Sequence, residues 1–255
     1  TIGTRLDMDE PDWLDLNING IKVGIANWTY ETAMDGSAKT LNGIPITEDL
    51  EGLVNSFGME PERQPAEFAR VAEQAKAMRE AGCELVVFFC HWGTEYRMEN
   101  DWAQLGLAGA LADANVDLII GNGPHVIEPI HVLTNEAGTH STLVYYSVGN
   151  FISDQSYAVG GSEGRALDGL LADVTFTLAE NGSMELTDAA YMPLYVAKTR
   201  ISETATRNTA VPVVAALGDP AAYGNVPVSE LEASLARTRR VMDLNDTGGL
   251  EVREY

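Results

Sequence analysis

Apolar and polar residues alternate first in Trp13-Leu14-Asp15-Leu16-Asn17-Ile18 and again, after Asn19-Gly20, in Ile21-Lys22-Val23-Gly24-Ile25-Ala26. Asn-Gly between two such runs predicts a β-hairpin, because a type I′ turn needs positive φ at both central residues. From Trp28 to about Glu60 the chain is rich in Gly, Asn, Asp and Thr and reads as a long loop with one short element. A loop that long inside a compact domain is often functional. The period then changes. Phe68, Val71, Ala75 and Met78 form one apolar stripe, which predicts a helix over 64–81, closed by Gly82 as a left-handed cap.

Leu85 to Phe89 is a continuous apolar run and predicts a strand covered on both faces. A second helix is expected over 101–114, with Asp101 as N-cap and Trp102, Leu105, Ala108 and Leu111 on its inner face. Val116 to Ile120 is another buried strand, so these elements make a βαβ unit with the right-handed parallel crossover. Residues 127–133 and 141–148 read as strands around the turn Asn135 to Gly138. Leu170 to Leu178 alternates and leads through Asn181-Gly182 into Met184 to Val196. A last helix is expected over 228–242, opened by a capping box from Ser229 to Glu232. A break near residue 200 divides the expectation into a main domain over 1–200 and a C-terminal helical extension over 201–255 packing on it.

Composition adds exclusions. Of 255 residues 38 are acidic and 16 basic, a formal net charge of −22, and 45% are hydrophobic. The hydrophobic fraction suits a globular core rather than disorder. The charge argues against nucleic acids and anionic membrane surfaces as broad partners. No apolar run approaches the roughly 20 residues of a membrane span. Cys83 and Cys90 bracket a predicted strand, which would hold them roughly 23 Å apart at about 3.3 Å per residue. That is far beyond disulfide reach, so both are expected to be buried thiols.

Ligands of open α/β sheets bind at the carboxyl ends of parallel strands. The residues just after each apolar strand are therefore informative: His91-Trp92-Gly93-Thr94-Glu95-Tyr96, then Gly121-Asn122-Gly123-Pro124-His125, then Gly149-Asn150-Phe151 and Asp154. Two of the four histidines stand at strand ends, where they read equally as structural residues or as site residues meeting in one crevice. Glu95 is either a solvated carboxylate or the partner that orients His91. Asn150 is either a turn residue or a polar site residue, and Asn122 either shapes a turn or lines the site. His131 and His140 read as structural or exposed.

These three loops resemble the CapA family, the bacterial capsule or poly-γ-glutamate synthesis proteins. The resemblance rests on His-Trp-Gly-x-Glu at His91 to Glu95, Gly-x-x-Pro-His-Val at Gly121 to Val126 and Tyr-Ser-x-Gly-Asn-Phe at Tyr146 to Phe151, and it covers roughly residues 12–178. It implies an α/β fold, a metallophosphatase-like layered sandwich of mixed β-sheets flanked by helices. It further implies divalent metal ions (Mn, Fe, Zn or Mg) with His91 and His125 as ligands, and His91, Glu95, His125 and Asn150 as the catalytic set. Two departures stand out. Many family members carry histidine where Gly123 stands, and the family's opening Gly-Asp, Asn-x-Glu and Asn-Asn-His segments do not occur here. The sandwich is therefore expected to lack its N-terminal strands. A dinuclear centre needs several ligands for each ion, so this chain alone is expected to hold an incomplete one, finished by a separate N-terminal segment.

Three function classes emerge. The leading one is a capsule (poly-γ-glutamate type) biosynthesis or export protein of the bacterial envelope that binds an anionic polymer in a metallophosphatase-like cleft. The second is a metal-dependent phosphoesterase or hydrolase using His91 and His125. The third is an α/β domain whose histidines are structural. The resemblance implies an extracytoplasmic location with membrane contact only through an absent anchor, the cytoplasm being the alternative. The sparse cations Arg165, Lys198, Arg200 and Arg207 come after the sheet, while Arg237, Arg239 and Arg240 read as a solvated helix face.

Overall fold

The computed structural model describes residues 2–32, 39–180 and 182–255. The elements are β1 (Leu14–Ile18), β2 (Ile21–Tyr30), β3 (Thr40–Leu41), β4 (Ile44–Pro45), β5 (Ser56–Phe57), α1 (Gln64–Glu80), β6 (Leu85–His91), α2 (Trp102–Asp113), β7 (Leu118–Asn122), β8 (Ile130–Thr134) and β9 (Ser141–Tyr145). They continue with β10 (Asp168–Leu178), β11 (Met184–Arg200), β12 (Thr206–Pro212), α3 (Val213–Gly218), α4 (Val228–Met242) and β13 (Val252–Glu254). The fold is mixed α/β, with several mixed sheets and few helices, as expected. It forms two compact units: residues 1–93, 101–121 and 132–144, and residues 94–100, 122–131 and 145–255.

The first unit is built on a sheet ordered β1-β2-β6-β7-β9-β8, with β5 beside β2. β1 and β2 are the expected hairpin, with Ile18 opposite Ile21 and Asn19 and Gly20 at φ +55° and +90°. β2 and β6 run parallel, from Val23 opposite Leu85 to Thr29 opposite His91, with α1 as the crossover. α1 buries Phe68, Val71, Ala75 and Met78, the stripe read from the sequence. β7 is tied to its neighbours by Asp117, a buried carboxylate that accepts from the Val86 N–H at 2.6 Å and from the Arg79 guanidinium at 2.5 Å.

α2 begins as expected, with Asp101 and Gln104 forming a reciprocal capping box, but its inner face does not match the expected one. Ala103, Gln104, Leu107, Ala108, Leu111 and Ala112 are buried, whereas Trp102 and Leu105 are 51% and 47% exposed. The segment is apolar nearly all round, so its pattern defines no unique stripe. Cys83 and Cys90 are both buried and free, as expected.

The second unit contains a sheet ordered β10-β11-β12, with β13 parallel to β11. β10 and β11 form the expected hairpin, with Leu178 opposite Met184; Asn181 of its turn lies outside the described residues. The core here joins Leu167, Tyr195, Ala197 and Val211 to Val213 and Ala216 of α3 and Leu231 and Leu235 of α4. Residues 201–255 supply β12, α3, α4 and β13 to this unit. The Ser229 capping box does not form. Pro227 is the N-cap and Ser229 lies inside the helix, because proline's fixed φ and missing N–H suit a helix entrance.

Arg237 is a third correction: it is not on a solvated face. Its guanidinium grips the buried Asp168 carboxylate through two bonds, Nε to Oδ2 at 2.6 Å and Nη2 to Oδ1 at 2.8 Å, and Ser234 Oγ adds a third to Oδ1 at 2.6 Å. Burial is the largest influence on Asp168 and raises its pKa above the ordinary carboxylate value, with Arg237 and Ser234 opposing.

Candidate functional site

The three motif loops divide between the two units. His91 closes β6 in the first unit, at the carboxyl end of a parallel strand, where its exposed ring stacks on Tyr30 at 5.6 Å and 3°. Glu95, His125 and Asn150 belong to the second unit. Glu95 is exposed, while His125 and Asn150 are brought together: His125 Nδ1 lies 3.0 Å from Asn150 Oδ1.

The loops of the second unit are laced by backbone and amide bonds. The Tyr96 N–H donates to Pro124 O at 2.7 Å. Asn122 Nδ2 donates to Gly149 O at 3.0 Å. Ile127 bridges Val148, and Gly149 bridges Gly169 at the start of β10. The last contact explains the glycine of the Gly-Asn-Phe motif. A Cβ on Gly149 would lie 2.5 Å from Asp168 O, and φ there is +66°. The close approach lets the Asn150 N–H reach Asp168 O at 3.1 Å, which fixes where its side chain points.

Asn150 is a hub, 7% exposed. Its Nδ2 lies 3.2 Å from His125 O, 2.9 Å from Ala166 O and 3.0 Å from Gln155 Oε1. Gln155 Nε2 in turn donates to the Tyr96 hydroxyl at 3.1 Å. The Tyr96 ring stacks on His125 with centroids 6.0 Å apart. Burial first, and then the charge of Glu95, raise the Tyr96 phenol above its ordinary pKa, so it stays a neutral hydroxyl. Tyr96 and His125 both hold left-handed backbone, at φ +63° and +61°. Such conformations cost non-glycine residues about 1–3 kcal/mol and persist where surrounding structure enforces them, often at functional sites.

The structure thus brings together His125 and Asn150, both singled out from the sequence, with Tyr96, which was given no role there, and Gln155, which was not singled out. Tyr96 stood in the quoted stretch after β6. Gln155 gave no signal, since a loop glutamine is ordinarily solvated. Asp154 is exposed and pairs with Lys198 at 3.1 Å. His131 packs edge-on against Tyr146 at 5.1 Å, and His140 Nε2 lies 3.1 Å from Val116 O.

The donor set bears on the metal expectation. Asn150 Oδ1 is engaged by His125 Nδ1. Among the described residues, no three His, Cys, Asp or Glu side chains gather as a metal-holding group.

The family is nonetheless identifiable. Residues 1–155 match the family model described as bacterial capsule synthesis protein PGA_cap. The chain is 38% identical over 100 residues to the PGA biosynthesis protein CapA of Bacillus subtilis (strain 168), covering 39% of this chain and 23% of that protein. It is 29% identical over 167 residues to the capsule biosynthesis protein CapA of Bacillus anthracis, covering 66% of this chain and 34% of that protein. The chain thus spans about a quarter to a third of the length of the relatives it matches. The family match contains both strand-end histidines and the Asn150 hub, and with it the chain belongs to the bacterial capsule synthesis protein family PGA_cap.

Proposed function

We propose that this chain acts in the biosynthesis or export of a capsule polymer of the poly-γ-glutamate type at the bacterial cell envelope. In this reading it is a binding element, and the surface around His125 and Asn150 contacts the polymer. The observation that carries the reading is the family match over residues 1–155, which takes in every motif of that surface. The names of the two CapA relatives support it. A metal-dependent hydrolase using His91 and His125 is not what the names of the family and of these relatives favour. No described helix is long and apolar enough to cross a membrane, so envelope association in this reading rests on the family alone.

The test is calorimetric titration of the purified chain with γ-linked glutamate oligomers, with single-stranded DNA as a second polyanion. The expected result is saturable binding of the oligomers, at least tenfold weaker in His125→Ala, and no binding of DNA by a chain of net charge −22. Equal binding of both polyanions, or unchanged affinity in His125→Ala, would overturn the reading.

A further inference from the structure

We infer that Asn150 is a positioning residue that locks His125 in the Nδ1–H tautomer, so that Nε2 offers a lone pair to a ligand's hydrogen-bond donor, an amide N–H rather than a carboxylate. The ligand class rests on the polymer reading above; the tautomer does not.

The assignment depends on which atoms can only accept. His125 O and Ala166 O are backbone carbonyls, 3.2 and 2.9 Å from one end of the Asn150 amide. Carbonyls accept and never donate, so that end is the NH₂. Its two hydrogens are shared among these carbonyls and Gln155 Oε1 at 3.0 Å. The Gln155 amide is oriented consistently, because its Nε2 donates onward to the Tyr96 hydroxyl. The other end of Asn150 is then a carbonyl oxygen, an acceptor only. It lies 3.0 Å from His125 Nδ1, which must bring the hydrogen.

A neutral imidazole with hydrogen on Nδ1 carries its lone pair on Nε2. Among the described residues Nε2 has no protein partner, and it is not among the buried unpartnered atoms, so it faces solvent on a half-buried ring. Tyr96 stacking and the left-handed backbone at residue 125 fix the direction of that lone pair. A bare ring nitrogen attracts N–H or O–H groups and gains nothing from a carboxylate. A γ-linked polyamide supplies one N–H per repeat, whereas a polyacid such as polyacrylate supplies none.

Long-range ¹H–¹⁵N correlation of the histidine rings, at mildly alkaline pH where imidazole is neutral, reads the tautomer directly. Loss of one ring system in His125→Gln assigns His125 among four histidines. The expected spectrum has a protonated Nδ1 and a bare Nε2. Asn150→Asp, whose carboxylate still accepts, keeps the pattern. Asn150→Ala reverts toward the Nε2–H form usual in water while the backbone spectrum stays dispersed. On titration, γ-glutamate oligomers shift the Nε2 resonance and polyacrylate of matched length does not. An Nε2–H pattern in the unaltered protein, or no change in a folded Asn150→Ala, overturns the tautomer lock. An equal response to polyacrylate overturns the donor assignment. Absence of oligomer binding with the Nδ1–H pattern intact strikes the polymer reading and leaves the lock standing.

Discussion

Removing Arg237 should be far worse than removing both halves of its ion pair. Asp168 opens β10 with its side chain only 3% exposed, and Arg237 supplies two of the three bonds it receives. Arg237→Met leaves a buried carboxylate with Ser234 alone. Breaking a buried pair in this way costs about 3–5 kcal/mol. For a chain of this size, each kcal/mol lowers Tm by about 2–4 °C, so a drop of about 6–20 °C is expected. Asp168→Asn added to Arg237→Met removes the stranded charge while keeping an acceptor for Ser234, so the double variant should be more stable than Arg237→Met. The pH dependence has a definite sign. The folded-state pKa of Asp168 is raised above its unfolded value, so between the two the folded protein binds more protons and stability falls as pH rises. Without Arg237 the folded value rises further, and the deficit of Arg237→Met should shrink as pH falls from about 7 toward 5. Urea titrations of the four proteins at pH 5 and 7 measure all of this. A double variant as unstable as the sum of the singles would show that Asp168 gains nothing from the pairing.

Three other outcomes are expected. Gly160→Ala places a Cβ 2.0 Å from the Tyr96 ring on backbone at φ +55°, so it should push Tyr96 off His125 and cost about 1–3 kcal/mol; unchanged ring-current shifts at His125 would refute the stack's dependence on that glycine. Glu254 is held below the ordinary glutamate range, chiefly by hydrogen bonds from Arg239, so the stability it lends β13 is present above about 4.5 and is lost as pH falls through its lower folded value; the protection factor of the Arg253 amide, its exchange rate relative to the intrinsic rate at the same pH, should fall on acidification, and Arg239→Gln should remove that dependence. Burial pushes the Cys83 thiol up to about 11 and raises Cys90 further, so neither should react with a thiol reagent until denaturant is added; rapid labelling in the native state would contradict their burial.

Much of the fold is legible in single residues because each acts locally. Asn19-Gly20 specifies its turn through positive φ, Asp101 caps α2 through its own side chain, and the stripe of α1 reflects 3.6 residues per turn. The failures share a different cause. α2 is apolar almost all round, so only the neighbours it meets decide which side is inner. Ser229 matched a capping pattern that the preceding proline made unnecessary. Arg237 looked solvated because its partner, Asp168, is distant in sequence. The site divides in the same way: His125 and Asn150 could be read from strand ends beside glycines, but the amide chain through Gln155 to Tyr96 exists only once three separate segments converge.

In the proposed reading a chain of net charge −22 holds a polyanion, so the local charges around the Asn150 hub matter more than the total. At physiological ionic strength the Debye length is about 8 Å, so remote acidic groups are largely screened and the local set decides. Three cations of the segments flanking the Asn150 hub are matched by carboxylates: Arg165 by Glu163 at 3.7 Å, Lys198 by Asp154 and Arg237 by Asp168. Beside Tyr96 the exposed charges of Glu95 and Arg97 are opposite, so that loop carries no excess positive charge. Affinity at this surface, in the proposed reading, comes from hydrogen bonds rather than charge excess. The Nδ1–H form of His125 proposed above, its Nε2 lone pair directed outward, meets that requirement in the same reading by engaging the amide of the polymer backbone and leaving the carboxylates to water. In the proposed reading such a contact discriminates by linkage chemistry, because a polyamide and a polyacid of equal charge density differ at Nε2.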